Sequence, residues 1–145
     1  MGNNPARTKN KPEKEKTVGK KRISVQSGKA KGRRLQQWVC QKISTLTGYE
    51  WGSAGDDKPI ESRPMGQSGA DVRMESQVIK KFPFSVECKS QESWAVPSWI
   101  KQAKTNQAEN CDWLLICKRR NEAPIVIMDA ESFFKLLEKK RNRTK

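Results

Sequence analysis

Five consecutive apolar residues, Trp113-Leu114-Leu115-Ile116-Cys117, sit in a chain that is otherwise strongly polar. A strand with one wet face alternates apolar and polar residues, so an unbroken run marks a strand covered on both faces. Such a strand needs neighbouring layers, and the chain supplies candidates. Between Arg33 and Thr47, the residues Leu35, Trp38, Val39, Lys42 and Leu46 fall close to one helical stripe, with Ile43 beside it and Gly48 as the stop. Pro97-Ser98 opens a second helix running to about Asn110, with the proline suited to the first turn. Asp129 or Ser132 caps a third, whose apolar side is Phe133, Phe134, Leu136 and Leu137. Tyr49-Glu50-Trp51 reads as a short strand, followed by a loop from Gly52 to Gly69. Residues 70–75 and 82–89 read as a hairpin turning between Gln77 and Lys81, and Ile125 to Met128 as the partner of the apolar strand. The expected fold is α/β: a mixed central sheet of about five strands with a helix on each face.

At 145 residues the chain has room for one domain. Its 30 Lys and Arg outnumber 16 acidic residues, giving a net charge of +14 that suits a polyanionic partner such as DNA or RNA. Histidine is absent, which excludes Ser-His-Asp chemistry and histidine-metal nucleases. Cys40, Cys88, Cys111 and Cys117 show no C-x-x-C spacing and read as reduced core residues rather than zinc ligands. No apolar run approaches the roughly 20 residues of a membrane span, and no secretory signal is visible. The expectation is a soluble, intracellular, cytoplasmic protein without a membrane partner.

Residues 1–31 carry ten Lys and Arg against Glu13 and Glu15, a net +8, with few apolar positions. They read as a flexible basic arm ahead of a globular domain over 32–138 and a basic tail over 139–145. Counterion release makes such an arm bind phosphate backbones irrespective of sequence. Lys29, Lys31, Arg33, Arg34, Lys118, Arg119 and Arg120 are the candidate nucleic-acid contacts.

Phe82, Phe84 and Val86 are spaced by two, so the segment Ser85-Val86-Glu87-Cys88-Lys89 reads as a strand. Glu87 and Lys89 then share one face, and Val86 and Cys88 the other. Asp71 opens the preceding run. Two carboxylates and an ammonium gathered at one end of a hairpin can hold a divalent metal and activate a water beside a phosphate. The competing reading is a surface charge cluster on a small α/β binding module. Asp56, Asp57, Glu61 and Asp129 read as solvated loop positions and a helix cap. Trp94 and Trp99, on either side of Pro97, either stack on bases, make a dimer contact or join the helix to the sheet.

With Gly69-Ala70-Asp71 as first acidic element and Glu87-Cys88-Lys89 as second, the chain resembles the PD-(D/E)XK nuclease superfamily. Within it, Lys31-Gly32 before the first helix, Gly52-Ser53-Ala54-Gly55 and Ser68-Gly69-Ala70-Asp71 are similar to elements of archaeal-type and phage Holliday junction resolvases. The resemblance runs from about Lys31 to Leu137. It implies a restriction-endonuclease-like core and a Mg²⁺ or Mn²⁺ ion on Asp71, Glu87 and the backbone carbonyl of Cys88. It further implies that Lys89 orients the attacking water, that Gln102 assists, and that products carry 3′-hydroxyl and 5′-phosphate ends. Ser68 reads as a contact to the scissile phosphate or as a turn residue before Asp71. The implied substrate is a DNA four-way junction and the implied assembly a homodimer, since symmetric resolution needs two sites. A recombination exonuclease, a nicking enzyme and a non-catalytic nucleic-acid-binding protein are the alternatives. One position departs from the resolvase pattern: Gln36 stands where a glutamate is usual.

Overall fold

The computed structural model describes Gly2 and residues 24–145, so most of the expected basic arm lies outside the described residues. Helix α1 spans Val25–Thr47, starting well before Arg33. Ser24 caps it by accepting the Ser27 N–H at 3.2 Å, and Gly48, in the left-handed region at φ 82°, ends it by donating to Ser44 O. The first two turns carry no apolar stripe because they touch solvent, which is why periodicity did not reveal them. The expected boundary at residue 31 therefore falls inside a helix. The buried stripe is also narrower than expected. Leu35, Val39, Cys40 and Ile43 point inward, whereas Trp38 and Leu46 lie outside.

Strands β1 (Trp51–Ser53), β2 (Ile60–Ser62) and β3 (Val72–Met74) form one sheet in the order β1-β2-β3, parallel and then antiparallel. Strands β4 (Phe84–Ser90), β5 (Asp112–Lys118) and β6 (Ile125–Ile127) form another in the order β4-β5-β6. The expected single sheet of about five strands is thus replaced by two three-stranded sheets. The expected hairpin is replaced as well: β3 pairs with β2, and β4 pairs in parallel with β5. Where a turn was expected, α2 (Ser76–Lys81) intervenes. Its Val78 is fully buried, and Lys81 Nζ donates to Thr47 O at 2.9 Å, which docks this short helix against the end of α1. The sheets meet where the Asp71 N–H donates to Val86 O at 2.9 Å.

The apolar run at the heart of β5 behaves as its sequence demands, with Trp113 through Cys117 all buried. Leu114 and Ile116 join Val86, Leu35, Val39 and Ile43 beneath α1. Trp113, Leu115 and Cys117 join Trp99 and Ala103 of α3 (Val96–Thr105) on the opposite face. The β4–β5 pair is therefore clasped between two helices, and α3 makes the crossover that a parallel pair requires. Trp99 belongs to this core; Trp94 is 36 % exposed and donates to Gln91 O at 3.0 Å. The four cysteines are free. Burial pushes the Cys40 thiol up to about 12 and the Cys117 thiol to about 11, so neither is a nucleophile at neutral pH.

Helix α4 runs Ala130–Arg143, through most of the expected tail. Its start is pinned by Ser132 Oγ to Asp112 Oδ2 (3.0 Å) and by Trp113 Nε1 to Asp129 Oδ2 (2.8 Å). Asp129 occupies the N-cap position but spends its carboxylate on that indole rather than on capping. The expected apolar side of α4 does not enter the core: Phe133, Phe134, Leu136 and Leu137 are 38–59 % exposed. No helix among the described residues is long and apolar enough to cross a membrane.

Candidate active site

The site is built from the seam between the two sheets and from three helix positions. On β4 the alternation of side chains turns Cys88 toward the core under α1 and leaves Glu87 and Lys89 together on the α3 side. Glu87 is only 3 % exposed, and its Oε1 lies 3.0 Å from Lys89 Nζ. The same ammonium donates to Gln102 Oε1 at 2.7 Å. Asn106 Nδ2 donates to the second carboxylate oxygen of Glu87 at 3.3 Å. Ser85 fixes the end of α3 beneath this cluster by accepting the Ala108 N–H at 3.0 Å.

Asp71 arrives from the other sheet. Its N–H donates to Val86 O and its carbonyl accepts the Arg63 N–H at 2.8 Å, so its backbone is held on both sides. Its carboxylate accepts the Cys88 N–H at 2.7 Å, which brings it onto β4 between Glu87 and Lys89 in sequence. The loop leading to it depends on Gly69, whose φ is +98° and whose missing Cβ would stand 2.8 Å from the Arg63 guanidinium. That guanidinium accordingly reaches past the glycine to donate to Ser68 O.

A half-buried and a buried carboxylate at close quarters disturb one another. Burial, followed by the negative charge of Glu87, raises the Asp71 carboxyl from 3.8 to about 6; the Cys88 N–H, the Lys89 charge and the Gln36 amide pull the other way. Gln36 is itself buried at 4 % exposure. A neutral amide here adds no charge, where a glutamate would add a third negative one, and its Nε2 donates to Met65 Sδ at 3.9 Å. The Cys88 thiol is pushed well up by burial and then by the Asp71 charge, so this residue can offer the site its backbone rather than a thiolate. Among the described residues no group of three or more Asp, Glu, Cys or His side chains could hold a metal. The donor set is instead two hard carboxylates beside a neutral amide, and one ammonium balances their charge only in part. That deficit and those oxygens fit a hard divalent cation.

Asp71, Glu87, Cys88, Lys89 and Gln102 thus come together in one cavity of about 460 Å³, which Ser68, Gln36 and Gly32 also line. The candidate cation contacts divide along α1. Lys29 and Arg33 line a cleft with Arg63 on one flank. Lys31 and Arg34 line a larger cleft with Lys118, Arg119 and Arg120 on the other. Gly32 and Gln36, between them on the helix, face the carboxylates. Glu61 is no solvated loop residue: it is buried in β2 and paired with Arg73 at 3.1 Å. Burial alone would raise its carboxyl, but the hydrogen bonds from Lys58 and Arg73 hold it below the usual range. Asp56 is occupied with the Ser53 N–H at 2.7 Å. Sequence reasoning missed Asn106, although its spacing of four from Gln102 puts both on one helix face.

No curated protein and no solved structure matches the chain. Residues 27–145, well over half of the sequence and the whole of the seam just described, match the family model described as "Phage putative PDDEXK endonuclease". The chain belongs to this family of PD-(D/E)XK endonucleases.

Proposed function

We propose that this nuclease is a structure-selective DNA endonuclease that resolves four-way junctions as a homodimer. The observation carrying the reading is the joining of Asp71, Glu87, Lys89 and Gln102 in one cavity flanked by two basic clefts. Asp71, Glu87 and the Cys88 carbonyl are the residues that would hold Mg²⁺ or Mn²⁺. Such an ion, when bound, lowers the pKa of a coordinated water and offsets charge at the phosphorus. The chain's own groups do the rest. Lys89, anchored by Glu87 and Gln102, neutralises a non-bridging phosphate oxygen and orients the incoming water. Asn106 keeps Glu87 from rotating away. Ser68, exposed at the cavity rim, contacts the scissile phosphate.

Lys29 and Arg33 on one side, and Lys31, Arg34 and Lys118 to Arg120 on the other, give phosphate contacts along a track that crosses the cavity. Contacts of this kind position a duplex by shape rather than reading bases. The protein would work inside the cell, in the cytoplasm of a bacterial, archaeal or phage-infected cell, where its DNA is. Incubation with Mg²⁺ and an end-labelled four-way junction is expected to give paired, symmetric nicks. Progressive shortening of linear duplex instead would make it an exonuclease, and binding without cleavage would leave only a binding module.

The dimer reading rests on α4. A 14-residue helix is marginal alone in water, yet this one leaves Phe133, Phe134, Leu136 and Leu137 outside. Its first turn carries Glu131 and its last carries Lys140, Arg141 and Arg143. Two copies packed antiparallel about a twofold axis bury the four apolar side chains and set each acidic end against the other's basic end. Sedimentation should report twice the monomer mass, and Phe134→Asp should halve it while the far-UV CD stays unchanged. A wild-type monomer at micromolar concentration would remove the dimer from the proposal.

A further inference from the structure

We propose that the larger cleft beside α1 is a stacking site for a nucleotide unstacked from the substrate strand, with Trp38 as its platform. This rests on the nucleic-acid reading of the neighbouring carboxylate cavity and adds that the bound strand gives up one base from its stack beside the cut. Trp38 falls on the apolar stripe that sequence alone would bury, yet it is 41 % exposed and lines a cleft of about 530 Å³. The floor is apolar, with Leu35 and Pro124, whereas the rim is basic, with Lys31, Arg34 and Arg120. One acid, Glu122, shares that lining with five cations and lies 3.9 Å from one of them, Arg119.

An aromatic platform over an apolar floor, inside a cationic rim, suits a flat ring that carries phosphates. A purely apolar partner would leave the cations idle, and a duplex backbone would leave the indole idle. The bases of intact duplex are stacked on one another and cannot enter such a cleft, so occupancy requires an unstacked nucleotide. Lys42 Nζ lies over one face of the Trp38 ring, 5.4 Å from its centroid, so a base would stack on the face that Lys42 leaves open. The cleft also adjoins the chemistry. Lys89 lines the carboxylate cavity and the next residue, Ser90, lines this cleft. One strand draped over the end of β4 reaches both.

The test is fluorescence anisotropy on the full chain in EDTA at fixed salt, with a labelled single-stranded oligonucleotide and a blunt duplex. Trp38→Ala should weaken oligonucleotide binding by about tenfold or more, Trp38→Phe should keep most of it, and both should bind duplex like wild type. Equal losses on both DNAs, or none on the oligonucleotide, would overturn the proposal. Should Trp38→Ala misfold, photo-crosslinking of wild type to an iodouracil oligonucleotide decides the matter. Adducts on the peptide carrying Trp38 support the site, and adducts only elsewhere refute it. The two readings fail separately. Metal-dependent cleavage with unaltered oligonucleotide binding in the variant removes the stacking site alone. Selective loss of binding in a protein that cuts no DNA removes the nuclease reading alone.

Discussion

Lys89→Ala should lower the rate of DNA cleavage by roughly two to three orders of magnitude while junction affinity, measured without metal, changes little. The Lys89 side chain is only 16 % exposed, and its ammonium is held from two directions, 3.0 Å from Glu87 and 2.7 Å from Gln102. Such double anchoring gives a cation at a fixed point in the cavity, and fixed charges cost no reorganisation when charge develops on a phosphate. Binding, on the proposed reading, draws on many phosphate contacts spread along α1 and the turn after β5, so the loss of one recessed lysine should barely alter it. Lys89→Arg should not rescue the rate, since a planar fork cannot occupy the place of a compact ammonium between those two partners. Single-turnover cleavage and anisotropy on the same junction make the comparison. Parallel loss of both quantities would assign Lys89 to binding, and retention of cleavage would remove it from the chemistry.

Asp71→Asn should make the metal-free protein more stable at neutral pH, even as it removes cleavage. Folding raises this carboxyl from 3.8 to about 6, so the native state favours its protonated form. Below about pH 4 the group is protonated in both folded and unfolded chains and imposes no penalty. Between there and pH 6 the unfolded chain ionises first, and stability is progressively lost. Above pH 6 the penalty is constant, and a shift of this size corresponds to roughly 3 kcal/mol. An asparagine still accepts the Cys88 N–H through its oxygen, and its amide faces Glu87 without repulsion. Thermal melts in EDTA should therefore show the variant several degrees above wild type at pH 7 to 8, with the gap closing by about pH 4. A difference independent of pH would mean that Asp71 carries no such strain. The trade of stability for a charged site is the usual one in enzymes.

What could be read in advance followed from burial. Trp113 to Cys117 announced a doubly covered strand because both faces of β5 meet a helix, which leaves no polar alternation. Glu87 and Lys89 were found together because strand geometry alternates without regard to tertiary context. Ile60-Glu61-Ser62 escaped notice because a three-residue strand between Pro59 and Pro64 has too few positions to show a period. Ser76 to Lys81 escaped for a similar reason: six residues complete fewer than two helical turns, and only Val78 is buried. Without α2, the segments on either side looked like the two arms of a hairpin. Trp38 was misplaced because an apolar residue on a helical stripe is ordinarily a core residue. Gln36 departs from the resolvase pattern by sequence, and its burial in the carboxylate cavity gives that departure a physical meaning: a neutral amide in place of a third repelling charge.

Asp71 hangs from the β1–β3 sheet and Glu87 from the β4–β6 sheet, tethered through Asp71's own amide and carboxylate. On the proposed chemistry, cutting competence is a property of how the two sheets are joined, not of either sheet by itself. Loosening the smaller layer, at Ile60 for instance, would part the acidic pair and silence the enzyme from a distance while the larger layer stayed intact. Amide exchange at residue 71 would then serve as a gauge of readiness, slow when the halves are latched and fast when they have come apart.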